Sequence, residues 1–254
     1  MLDLSSFALA DVLPFIAIGF AAQLVDGALG MAFGVISTTL LVSLGVPPAA
    51  ASAGVHTVES FTTGVSGASH ILHRNVDWRL FARLVIPGVI GGVLGAYVLT
   101  QIDAGVARPA ILTYLAAIGI YLLWRGIKYP PTAKRPKIIE PLGLVGGFLD
   151  AAGGGGWGPV VTSNLLVQGA EPRTVIGTVS ASEFVLTVTI SVTFILTLGW
   201  EVFTAATIGL LIGGVAAAPL GAFVAKRAPA KTLLILVGAL LVLTSGYGIY
   251  RALG

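Results

Sequence analysis

Two acidic residues recur at one fixed interval in a chain that carries few charges of any kind. Asp26 returns as Asp150 and Glu59 returns as Glu183, each 124 positions later. The same interval aligns Gly30 with Gly154, Gly34 with Gly158, Thr38 with Thr162, Pro48 with Pro172 and Thr63 with Thr187. A duplicated apolar unit with carboxylates at matching positions is the pattern of a transporter built from repeats.

Composition sets the medium in which the unit folds. Of the 254 residues, 56% are hydrophobic and 10% are charged. Soluble domains carry about 25% charged residues, so this chain cannot cover itself with a polar surface. It reads as an all-α polytopic membrane protein in a cell inner membrane, with the lipid bilayer as its main partner. The net charge of +3 reports topology rather than a nucleic-acid partner, because the basic residues sit in short loops. Cysteine is absent, which removes disulfides and thiolate chemistry. The opening MLDLSSFALAD lacks a basic n-region, so no cleavable signal peptide is expected.

Each half contains three uninterrupted apolar spans, roughly 48–71, 80–100 and 105–124, then 172–198, 202–225 and 231–250. Each is near the ~20 residues a helix needs to cross the hydrocarbon core. The stretch opening each half, 12–44 and 139–168, is broken in the middle, at Asp26-Gly27 in one and at Asp150 with Gly153–Gly156 in the other. Arms of about 14–16 residues are short of a ~30 Å core, so each stretch is an interrupted crossing or a re-entrant hairpin. With both as hairpins and the N-terminus outside, 12 of the 14 basic residues fall in cytoplasmic loops. With both as full crossings and the N-terminus inside, the split is 9 to 5. The positive-inside rule favours hairpins and places both termini outside. Three crossings per repeat make the second repeat inverted. The chain thus divides into an outer segment 1–11, repeat 1 over 12–124, a basic cytoplasmic linker 125–138, and repeat 2 over 139–254.

An ionised carboxylate at the bilayer midplane costs at least ~2.5–3.5 kcal/mol. Glu59 and Glu183 lie near the centres of their spans, so each pairs, faces water or holds a proton. His56 is three residues before Glu59, on the same helical face, and the two are candidates for proton coupling. The competing reading is a pair that only fixes packing. Ser180 stands at the position matching His56, an asymmetry that suits a specialised role. Asp26 and Asp150 are further proton-coupling candidates, or they cap the half-helix that follows each break.

Glycine lets backbone N–H groups approach a ligand, and a half-helix N-terminus favours an anion. Gly27, Gly30, Gly153, Gly154, Gly155, Gly156 and the Trp157 backbone are therefore candidates to line an anion site. Thr38, Thr39, Thr162, Ser163 and Asn164, just past the breaks, can add neutral hydrogen bonds. Gly30, Gly34 and Thr38 are spaced by four, which suits close helix packing as well. A dinucleotide loop needs a preceding strand and does not suit a hydrophobic hairpin. Trp78, Trp124, Tyr129 and Trp200 stand at span ends as interfacial anchors.

The runs DGALGMAFGV (26–35), AGVHTVESFTTGVSGASHILHRNVDW (53–78) and GFLDAAGGGGWGPVVTSNLLVQGAEPRTVIGTVSASEF (147–184) resemble the sulfite exporter TauE/SafE family. The resemblance implies a permease for sulfite, sulfonates or related sulfur-containing anions. It leaves open which anion and in which direction.

The function expected is a secondary transporter of a small sulfur-containing anion, coupled to protons, with alternating access as one repeat rocks against the other. An anion channel using the same glycine breaks is the alternative. No G-x-x-x-x-G-K-[ST] and no H-E-x-x-H occurs, so neither an ATPase nor a zinc enzyme is expected, nor any cofactor or metal. A homo-oligomer is compatible with the sequence.

Overall fold

A computed structural model describes residues 9–29, 31–128, 136–162, 164–165, 168, 170, 172–200, 205–227 and 230–253. Among them every regular element is helical. In chain order they are α1 (Leu9–Leu29), α2 (Phe33–Ser43), α3 (Pro48–Leu72), α4 (Trp78–Gln101), α5 (Ala104–Ile127), α6 (Glu140–Gly153), a π-turn at Trp157–Thr162, α7 (Pro172–Leu198), α8 (Ala205–Arg227) and α9 (Ala230–Leu253).

Local chemistry sets several of these boundaries. Pro48 opens α3 with a fixed φ and no N–H to leave unsatisfied. Asp77 caps α4 by accepting from the backbone N–H of Arg79 at 2.9 Å and Leu80 at 3.1 Å. Asp103 caps α5 through Gly105 N at 2.8 Å. Gly154, at φ 68°, ends α6 in the left-handed conformation that glycine adopts without strain.

Trp78–Gln101, Ala104–Ile127 and Thr174–Leu198 are long and apolar enough to cross a membrane, at 24 or 25 residues and about 36 Å of helical rise. With its 25 residues α3 has the length, but a stripe of buried Ser52, His56, Glu59 and Thr63 dilutes its apolar character. Val65, Leu196 and Leu243 stand exposed while Phe33, Trp157 and Phe194 are fully enclosed, as expected where lipid covers the outer surface.

The break in the first half falls between Leu29 and Phe33, later than the Asp26-Gly27 position that the sequence suggests. Asp26 and Gly27 are inside α1, which continues to Leu29 over 21 residues, and α2 starts at Phe33. Aspartate and glycine are tolerated in the last turn of a helix, so an Asp-Gly pair does not by itself locate the end. The second-half break, at Gly154–Gly156 after 14 residues of α6, is where the glycine run predicts it.

The heaviest packing joins the two halves of the chain. Helix α1 lies on α8, α4 on α6, α5 on α9 and α3 on α7. Glycines let the backbones touch. A β-carbon at Gly143 would stand 2.8 Å from the Leu84 carbonyl oxygen, and one at Gly19 would collide with the Leu210 carbonyl. Trp157 seats its ring tightly over Gly88, and Phe33 lies more loosely against Gly214.

Candidate functional site

Both aspartates perform one local task. Asp150 Oδ1 accepts from Gly156 N at 2.6 Å and Trp157 N at 2.9 Å. Asp26 Oδ1 accepts from Phe33 N at 3.3 Å. Each carboxylate therefore sits seven residues before a buried aromatic and holds the N-terminus of the arm beyond the break. These free N–H groups have no helical partner of their own, and a carboxylate there is favoured by the dipole.

All four repeated carboxylates meet at one small cavity. Asp26, Glu59, Asp150 and Glu183 line it together. The backbone of Gly34, Gly155, Gly156 and Gly158 forms the rest of the wall, with Ala32, Val35 and Pro159 closing it. Glu59 is 5% exposed. Its Oε1 lies against Gly34, where a β-carbon would stand 3.0 Å away. Its Oε2 is buried with no hydrogen-bond partner among the described residues. Glu183, half-buried on α7, likewise has none among them.

His56 departs from the sequence reading. It is fully buried and bonds to Asp150 rather than Glu59, with Nε2 3.1 Å from Asp150 Oδ2. Its Nδ1 lies 2.7 Å from the Ser52 carbonyl oxygen. That oxygen only accepts, so Nδ1 carries a hydrogen. Either the imidazole holds both hydrogens and faces a carboxylate, or it is neutral and accepts from a protonated Asp150. In both cases the pair holds one shared proton and no net charge. The helical spacing of three puts His56 and Glu59 on one side of α3, but the ring turns to α6. Ser52, one turn before His56, bonds Ala151 O at 2.7 Å through its hydroxyl and ties the two elements together.

The remaining candidates divide by where their polar atoms go. Gly155 and Gly156 face the cavity, whereas Gly153 lies under the Tyr114 ring and Gly154 against Thr38. Trp157 gives its backbone N–H to Asp150, and its indole points away toward Val179 O at 3.4 Å. Thr38 Oγ1 donates to Gly154 O at 2.5 Å, Thr39 Oγ1 to Val35 O at 2.6 Å, and Asn164 Nδ2 to Val160 O at 2.6 Å. Thr162 is buried with its hydroxyl unpartnered among the described residues. None of these last four lines the cavity. Gly27 lies within α1, and Gly30 and Ser163 lie outside the described residues.

Gly34, whose spacing suits close helix packing, and Gly158, its match in the second repeat, both form cavity wall. Their shared repeat position was the available signal. Tyr114, whose hydroxyl donates to Gly155 O at 3.1 Å, carried no sequence signal. Among the described residues no group of three or more His, Asp or Glu side chains has the geometry to hold a metal ion.

Apolar helices of bilayer length around a buried polar cavity, at two chain breaks, define a polytopic membrane protein of the transporter class. The family described as "Sulfite exporter TauE/SafE" matches residues 15–248, and the chain belongs to that family. It is 44% identical over 240 residues to "Probable membrane transporter protein YtnM" of Bacillus subtilis (strain 168), covering 91% of this chain and 80% of that one. It is 25% identical over 118 residues to "Sulfite exporter TauE/SafE family protein 3" of Arabidopsis thaliana, covering 46% of this chain and 25% of the relative. No solved structure matches the chain. With relatives named as membrane transporters, the chain is a membrane transporter and not an enzyme.

Proposed function

We propose that the chain is a secondary transporter moving a small sulfur-containing anion, such as sulfite or an organosulfonate, across the cell inner membrane in company with protons. The observation that carries this reading is the meeting of two arm N-termini and four carboxylates at one cavity. The partial positive charge at the start of each arm favours an anion there, while Asp26 and Asp150 already accept the first N–H groups of the arms. The carboxylates oppose it while ionised. One ionised carboxylate at ~4 Å repels a monoanion by about 4 kcal/mol at an effective dielectric near 20, close to a thousandfold in affinity. An anion therefore enters such a cavity only when protons accompany it. The site works as a coupling device because its acids are in the wrong charge state for the substrate when they are empty of protons.

The relative's name, a sulfite exporter family protein, supports a sulfur oxyanion as substrate. Alternating access in a chain of two inverted repeats, 12–124 and 139–254 joined by the linker 125–138, is supported by their symmetric exchange of packing partners, α1 on α8 and α6 on α4. The basic residues of the loops support termini on the outer side.

The test is uptake of labelled sulfite, thiosulfate, sulfate and methanesulfonate into proteoliposomes, with and without an imposed pH gradient. Saturable uptake of one anion, accelerated by the gradient, is expected. Non-saturating flux indifferent to the gradient would make the protein a channel.

A further inference from the structure

The four acids of the cavity are not equivalent, and the difference fixes how many protons accompany the anion. Asp150 is compensated on both oxygens, by Gly156 N and Trp157 N on Oδ1 and by His56 on Oδ2. Asp26 is held by Phe33 N at the start of α2. Glu183 has no hydrogen-bond partner among the described residues, and Glu59 takes only the Gly34 backbone N–H, its Oε2 being buried, unpartnered and at the cavity wall. They occupy equivalent positions, 124 residues apart, on α3 and α7, which pack together.

We infer that anion binding takes up two protons, one on Glu59 and one on Glu183. The inference rests on the anion reading above. The groups facing Glu59 are Asp150 from α6, Glu183 from α7 and Asp26 from α1, with His56 on its own helix. Those facing Glu183 are Asp26, Glu59 and Asp150. Tyr114 of α5 is engaged with Gly155 O, and α2 and the turn 157–162 bring no titratable side chain. The cavity offers no lysine or arginine among its lining residues, so no side chain of the wall supplies a fixed positive charge and the acids themselves must be neutralised by protons. A protonated carboxyl at Glu59 Oε2 is a hydrogen-bond donor, which turns an acceptor aimed at the cavity into one that suits an anion's oxygen.

The test is anion affinity as a function of pH, on purified full-length protein, with methanesulfonate, sulfite and thiosulfate as probes. Methanesulfonate keeps its charge throughout, and the sulfite data are corrected for sulfite's own titration. Two linked protons make the apparent Kd rise by about 100-fold per pH unit on the alkaline side of the glutamates' titration. Glu59→Gln and Glu183→Gln each reduce this to about tenfold per unit, because the amide imitates the protonated acid. The double variant binds with no pH dependence. Calorimetry of the unaltered protein in buffers of different ionisation enthalpy counts the same two protons without any variant. An anion bound with a slope of zero or one overturns the inference alone. Failure of all three probes to bind at any pH overturns the anion reading beneath it.

Discussion

His56 and Asp150 hold each other across 94 positions of chain, and removing either partner alone leaves a buried polar group without its complement. Replacing His56 by Gln is expected to cost about 3 kcal/mol and to lower the midpoint of thermal unfolding in detergent. Asp150→Asn behaves similarly, and the double variant loses less than the sum of the two. Strict additivity in that cycle would show that the pair is not coupled. The acids of this site were legible in the sequence because a carboxylate in an apolar span has few tolerable explanations. Which of them His56 would face was not legible, since helical spacing fixes the side of a helix but not the neighbour packed there. The threonines misled for a related reason. A hydroxyl near a break can as readily satisfy a carbonyl freed by that break, as Thr38 does with Gly154 O, as face a ligand.

At the scale of elements, the aromatic that opens each second arm is locked over a glycine of a long helix. The fit is unequal. A β-carbon at Gly88 would stand 2.6 Å from the Trp157 ring, whereas one at Gly214 would find Phe33 at 3.5 Å. Gly88→Ala is therefore expected to destabilise by about 1–3 kcal/mol through overpacking and to impair transport by displacing the arm that carries Gly156. Gly214→Ala is expected to be tolerated in both respects. Equal effects on the unfolding midpoint would contradict this account of the seats. The long helices themselves follow the sequence closely, because twenty or more apolar residues leave little freedom of interpretation. The first break was displaced from Asp26-Gly27 to the residues before Phe33. A last helical turn accepts Asp and Gly, and the capping bond from Asp26 to Phe33 N spans seven residues.

The whole molecule is interlocked rather than divided at its linker. Helix α1 rests on α8 and α6 on α4 through backbone contacts at glycines, so rigid rocking of one repeat against the other would tear the closest interfaces. The movement consistent with this packing keeps α1 with α8 and α4 with α6, and shifts these two units about the α3–α7 contact. A chain without cysteine allows a direct check. Engineered disulfides pinning α1 to α8 or α4 to α6 are expected to preserve saturable flux, and one across α3 and α7 to arrest it. Arrest by the first two would restore the rocking of whole repeats. The central claim is that anion and protons cross together through the carboxylate cavity. Its most direct test is proton movement, followed by an internal pH dye, in proteoliposomes given an anion gradient and no imposed pH gradient. The account predicts proton flux that saturates with the anion and is lost in the Glu59→Gln, Glu183→Gln double variant. Saturable anion flux with no accompanying protons, or proton flux undiminished in that variant, would contradict it.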